Sequence, residues 1–412
     1  MTGMDLERLR RSYAELLVGT GVNLQEGQPL LVRTEPVQRG FVHMLAEAAY
    51  GRGASFVNVE YYDPALSRIR LDRSVRNEYT AFVPSYTEDM YAAFIEEGWA
   101  SLSLRGPDEP DIMEGADPGR MAAAGKASSM AMRGFLKGIS ANRISWNVCL
   151  HPSRKWAGKV LGSENDWEVR IWELLAPILR LDAADPSAAW MEHDAELKRR
   201  CAYMNGAGYD QIRFVGPGTD LYVGMAPDRT FVGGRCTNRA GVGFFPNIPT
   251  EEIFSTPHRK RVRGTARTTR PVEVMGASVE GAWFRFEDGR VVDFGADRNR
   301  EVLEKYLEFD TGSSSLGEVA LVDAGSPVFR SGRTFHSILF DENAASHIAL
   351  GNGYADCIEG GTGMTDDELE AAGCNSSLVH TDFMIGSEEV SVYGVLDDGT
   401  EMLVMEKGRF VI

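Results

Sequence analysis

The chain has 412 residues, 43% of them apolar, and carries 43 Lys and Arg against 60 Asp and Glu, a formal net charge of −17. A globular composition of this length suits two or three domains of roughly 150 residues each, and it excludes a coiled coil, a collagen-like chain and a disordered tail protein. So acidic a chain is repelled by phosphate backbones and anionic lipids, which excludes nucleic acid and membrane as partners. No stretch reaches the roughly 18 to 20 uncharged apolar residues of a membrane span. The first 17 residues, MTGMDLERLRRSYAELL, have no apolar signal core and read as an amphipathic helix of a cytoplasmic protein. Five cysteines, an odd number without a C-x-x-C, fit free thiols in a reducing compartment.

Taken in chain order, residues 4–18 have apolar positions at helical spacing, and Pro29 to Arg33 form a short apolar run. Residues 37–51 read as a helix ending near Gly51 and Gly53, and Ser55 to Glu60 as a strand. Met90 to Trp99 is helical, Ser101 to Arg105 extended, Met121 to Lys137 helical and Ile144 to Leu150 extended. Strands alternating with helices predict an open, largely parallel α/β sheet. No G-x-G-x-x-G follows the first strand, so a dinucleotide site has no support.

Residues 164–206 are mostly helical. Asp185 and Pro186 form a cap and first-turn pair, and Trp190, Leu197, Cys201 and Met204 then fall on one helical face that Asp194 interrupts. Beyond Gly208 come short strand-like runs, among them Tyr209–Val215, Val272–Val274, Trp283–Phe286, Val319–Val322, Val390–Leu396 and Met402–Val404. Gly- and Asp-rich turns separate them. Thr365 and Glu368 read as a capping box, with Gly373 as the helix stop. The expected fold is α/β plus α+β. An N-terminal open α/β sheet domain spans residues 1–185. A β-rich mixed C-terminal domain over 186–412 carries the chemistry.

There are seven His, and His336, His347 and His380 fall within 45 positions of one another. In Ser377-Leu378-Val379-His380-Thr381-Asp382-Phe383-Met384-Ile385-Gly386, a strand puts His380, Asp382 and Met384 on one face and Phe383 on the other. An imidazole and a carboxylate so placed can share a metal ion; a hydrogen-bonded His–Asp pair at a sheet edge is the competing reading. His347 sits between apolar neighbours, as a core histidine or as a ligand, and Asp341 and Glu342 read equally as turn or capping residues. Glu318, in Leu316-Gly317-Glu318-Val319-Ala320, and Glu252, before Ile253-Phe254, are carboxylates in apolar runs that must be paired, protonated or metal-bound. Three carboxylates and two imidazoles without a Cys are the ligand set of one or two ions such as Zn²⁺, Co²⁺ or Mn²⁺.

Phe335 to Tyr354 (FHSILFDENAASHIALGNGY), Asn375 to Gly386 (NSSLVHTDFMIG), Val242 to Phe254 (VGFFPNIPTEEIF) and Leu316 to Ala320 closely resemble the signatures of the aminopeptidase T / aminopeptidase S family of bacterial metallopeptidases. Weaker similarity runs through the rest of the chain. The resemblance implies that Glu252, Glu318, His347, His380 and Asp382 are metal ligands for two divalent ions (Zn²⁺, Co²⁺ or Mn²⁺). It implies that Tyr354 is an active-site residue. Two ions that share one water need a bridging carboxylate, and Glu318 is the choice for that role, although the sequence does not fix the partition. The resemblance also implies a homodimer acting on the N-termini of peptides. None of the six residues is substituted; Thr381, Ser346 and Ser391-Val392-Tyr393 depart from the family pattern without removing a ligand. A rival is an iron(II) ring-cleaving dioxygenase using His347, His380 and Asp382. It leaves Glu252 and Glu318 without a task. A non-catalytic binding protein of the same fold is the third reading, and the intact ligand set argues against it.

Overall fold

The computed structural model describes residues 5–412, so Met4 of the first expected helix lies outside the described residues. The chain divides into two compact units: Arg235–Ile248 belongs with the first, which otherwise runs to Trp190, and Met191–Gly234 with Pro249–Ile412 makes the second. Among the described residues, no helix is long and apolar enough to cross a membrane.

In the first unit four parallel strands lie in the order Val57–Tyr61, Leu30–Thr34, Ala100–Arg105, Trp146–Leu150. The inner strands are apolar enough to be covered on both faces: Leu30, Leu31, Val32, Leu102 and Leu104 are buried. Helix starts follow a repeated local device. Asp63-Pro64, Asp117-Pro118 and Asp185-Pro186 each put a carboxylate at the cap and a proline at the first helical position. The helix expected over 121–137 is two, Pro118–Ala131 and Arg133–Ser140. The returning segment Arg235–Ile248 lies along the outermost strand: Val148 N donates to Pro246 O, Ile248 N to Val148 O, and Asn147 Nδ2 to Phe245 O. Burial of Phe244, Phe245 and Ile248 drives that return.

The second unit holds two main antiparallel sheets and a two-stranded hairpin, Val272–Val274 with Ala277–Val279. The larger has eight strands, in the order Arg290–Gly295, Trp283–Glu287, Pro257–Arg267, Thr219–Met225, Gln211–Gly216, Ser391–Val395, Glu401–Glu406, Arg409–Phe410. The smaller runs His380–Met384, His347–Gly351, Leu316–Val322, Glu252–Ser255. One core joins Ile212, Phe214, Leu221, Val223 and Phe284 of the first to Val319, Ile348 and Phe383 of the second. The long strand Pro257–Arg267 has no apolar alternation to announce it. Its arginines are matched by tertiary partners instead: Arg259 with Glu370, Arg261 with Asp210, and Arg263 at 3.7 Å over the Tyr222 ring. The capping box at Thr365 is formed, and Gly373 follows the helix at φ +98°.

Candidate metal centre

The four-stranded sheet places the candidate residues by register alone. Residues directly opposite in an antiparallel pair share a face. Glu318 pairs with Ala349 and Ala349 with Asp382, one row across three strands. Ala320, His347 and Met384 form the next row, and Glu252 pairs with Val322. Gly351 stands opposite His380. The alternate rows point the other way: Val319, Ile348 and Phe383 lie in register and enter the core, where Phe383 meets Phe284 edge-on at 4.9 Å. One face is therefore hydrocarbon and the other holds Glu252, Glu318, His347, His380 and Asp382. The small Ala320, Ala349 and Gly351 between them leave space above the sheet. A register irregularity at Gly317 sits beside Glu318, the kind of local kink that re-aims a side chain.

The distances describe one cluster with a shared member. His347 Nε2 lies 3.4 Å from Glu252 Oε2, 3.9 Å from Glu318 Oε1 and 3.8 Å from Asp382 Oδ1. His380 Nε2 lies 3.2 Å from Glu318 Oε2 and 3.3 Å from Asp382 Oδ1. Glu318 thus turns one oxygen toward each imidazole. Ligand atoms of Glu252, Glu318 and His347 fall within 4.8 Å of one another, as do those of Glu318, His380 and Asp382.

Both imidazoles are oriented from behind. His347 Nδ1 lies 3.1 Å from Ala345 O and His380 Nδ1 2.7 Å from Asn352 O. A carbonyl can only accept, so each Nδ1 carries the proton and each Nε2 faces the carboxylates. Tyr354, 38% exposed, stands at the edge of the cluster. Its hydroxyl is 3.3 Å from His380 Nε2, its ring packs on Phe254, and its backbone N donates to Thr256 Oγ1.

The electrostatics are those of crowded anions. Burial pushes Glu252 up to about 8, and the charges of Glu318 and Asp382 add to it against the pull of His347. Burial disfavours charged His347 and His380, yet the neighbouring carboxylates outweigh it and raise both. Burial likewise works against the Asp382 carboxylate, but His380 and His347 hold it below its ordinary value. Desolvation of the Tyr354 hydroxyl and the surrounding carboxylates keep that phenol protonated.

A further carboxylate belongs to this field. Glu342, which the sequence offers only as a turn or capping residue, opens a single 3₁₀ turn, Glu342–Ala344. Burial and the charges of Glu252, Asp382 and Glu318 push its pKa well up. No local signal in the sequence separates it from the neighbouring Asp341. Asp341 is the capping residue of the pair: it accepts from Phe335 N at 2.7 Å and Ser337 N at 3.0 Å. Cys357 and Cys374, near this region in sequence, are buried free thiols.

Does this set fit divalent ions? Glu252 Oε2 is buried without a hydrogen-bond partner, a costly state that a cation relieves. The donors are carboxylate oxygens and imidazole nitrogens, as Zn²⁺, Co²⁺ or Mn²⁺ prefer. The residues fit.

Fold and centre together define a class, a mixed α/β protein with a buried carboxylate–imidazole centre suited to divalent cations. Comparison with known proteins gives the family. The model described as "Thermophilic metalloprotease (M29)" matches residues 6–410. Aminopeptidase T of Thermus aquaticus is 42% identical over 402 residues, covering 97% of each chain. Aminopeptidase 2 of Geobacillus stearothermophilus is 39% identical over 97% of this chain and 96% of its own. The solved structure titled wild-type AmpT from Thermus thermophilus superimposes with a TM-score of 0.92 at 38% identity, over 99% of this chain and all of that one. The chain belongs to this metalloprotease family and is a peptide hydrolase.

Proposed function

We propose that the chain is an aminopeptidase that uses two divalent ions, held by Glu252, Glu318, His347, His380 and Asp382, with Glu318 shared between them. The observation that carries this reading is the Glu318 carboxylate, which offers Oε1 to the His347 side and Oε2 to the His380 side. Asp382 Oδ1 also lies within 3.8 Å of both imidazoles, and Glu342 adds a further carboxyl to the same field. Bound ions supply Lewis acidity toward the scissile carbonyl and acidify a water at neutral pH. The chain's own part is to orient and to donate hydrogen bonds. The carbonyls of Ala345 and Asn352 fix the imidazole tautomers. The protonated Tyr354 hydroxyl, at the cluster's edge, donates a hydrogen bond to the oxyanion that forms on the substrate. The domain division at residue 185, the homodimer and the cytoplasmic location belong to the same proposal.

Metal content and activity test it together. The purified chain should bind two equivalents of Zn²⁺, Co²⁺ or Mn²⁺. It should release a chromophore from an aminoacyl substrate with metal and not with chelator. A chain that binds one oxidisable iron and cleaves no peptide would return the oxygenase. That rival leaves Glu252, 3.4 Å from His347, without work.

A further inference from the structure

Asn343 is fully buried beside the cluster and belongs to no ligand group. Its side-chain amide is used at both ends. Oδ1 accepts from Glu251 N at 2.6 Å; Nδ2 donates to Leu339 O at 2.8 Å and toward Glu342 Oε1 at 3.4 Å. A residue that merely closed its own turn would need only the Leu339 bond. The Glu251 bond reaches a segment 92 positions away. It grips the backbone one residue before Glu252, which is the first residue of its strand. The ladder to Leu316–Val322 begins at Glu252 itself, paired with Val322. The backbone ahead of it has no strand partner in that ladder. Asn343 restrains it at the Glu251 N–H, beside the Thr250 carbonyl that accepts from His193 Nε2 at 2.9 Å, and of the two only the Asn343 amide also reaches the Glu342 carboxylate.

We infer that Asn343 is a positioning residue, which sets the separation of the Glu252 and Glu342 carboxylates and through it the affinity of the centre for its ions. The inference rests on the two-ion reading above. Groups that orient ligands typically change metal affinity about 10- to 100-fold when lost. Asn343→Ala removes both the clamp on the Glu251 peptide and the donor to Glu342. It leaves the five proposed ligands in place.

The test is a metal titration of the full chain by competition with a chromophoric chelator. It uses the wild type, Asn343→Ala, Glu342→Gln and the double variant, each checked for folding by circular dichroism without metal. The wild type should bind two ions. Asn343→Ala should bind at least one of them about 10-fold or more weakly. Its loss should shrink in the Glu342→Gln background, because one of the groups it acts through has already been changed. Unaltered affinity in folded Asn343→Ala overturns the inference. So does an equal loss in both backgrounds, which a general structural role would produce. Should Asn343→Ala fail to fold, Asn343→Leu fills the same volume without the hydrogen bonds and gives the same readout. A wild type that binds no ion removes the two-ion reading itself, a failure visible before any variant is compared.

Discussion

At the scale of single residues the centre separates into groups that hold charge and one that donates a hydrogen bond. Glu318 is the clearest of the first kind. Glu318→Gln keeps its shape and removes the charge that both imidazoles face. The variant should stay folded, bind metal more weakly and lose peptide hydrolysis; full activity in Glu318→Gln would sink the shared-carboxylate reading. Tyr354 is the second kind. Its hydroxyl lies 3.3 Å from His380 Nε2, while its ring is anchored on Phe254. Tyr354→Phe keeps that anchor, so metal stoichiometry should not change, while kcat falls by about 10²-fold or more, the scale of losing one oxyanion donor. A variant that turned over normally would demote Tyr354 to packing.

At the scale of elements, the four-stranded sheet turns sequence spacing into a site. Gly351 shows how little slack it has. Its φ of +113° lies in the region that favours glycine, and an added Cβ would sit 2.0 Å from Val379 O. It also stands opposite His380. Gly351→Ala should cost about 1–3 kcal/mol from backbone strain alone, read as a lower denaturation midpoint in the metal-free protein. It should also weaken metal binding, because His380 must move with its strand. The same sheet explains what could be read beforehand. His380, Asp382 and Phe383 were legible because alternation on a strand is local. Glu252 and Glu318 stood out as carboxylates in apolar runs, but their meeting depends on register between strands more than 60 positions apart in the chain. Glu342 was not legible, since a turn residue and a residue aimed into a site have the same spacing. The strand Pro257–Arg267 was missed because its polar residues find partners only in the folded unit. The return of Arg235–Ile248 to the first unit had no local signal at all.

At the scale of the whole molecule, crowded carboxylates make folding, protons and metal one linked equilibrium. Glu252, ordinarily near 4.5, is pushed up to about 8 by burial and its acidic neighbours, and Glu342 is raised for the same reasons. The folded state therefore keeps protons that the unfolded chain gives up from about pH 4.5. Stability falls as pH rises through that window, up to about 8 for Glu252. His347 and His380 are also raised, so their contribution is complete below 6.5 and is lost as pH climbs through their folded values. Asp382 has the opposite sign, but its contribution disappears only in acid, below 3.8. Above pH 4.5 the four raised groups agree. Below 6.5 two histidines oppose this: burial lowers His151 to about 3 and also lowers His258, so their contribution grows as pH rises to that value. The melting temperature of the metal-free chain should thus decline between about pH 6.5 and pH 9, and Glu252→Gln should flatten part of that slope. Ions compete with these same protons. Their affinity should rise with pH, and binding should release protons that calorimetry detects in buffers of different ionisation enthalpy. A metal-free melting temperature that rises across the window, or metal uptake without proton release, would mean that these carboxylates do not share one field.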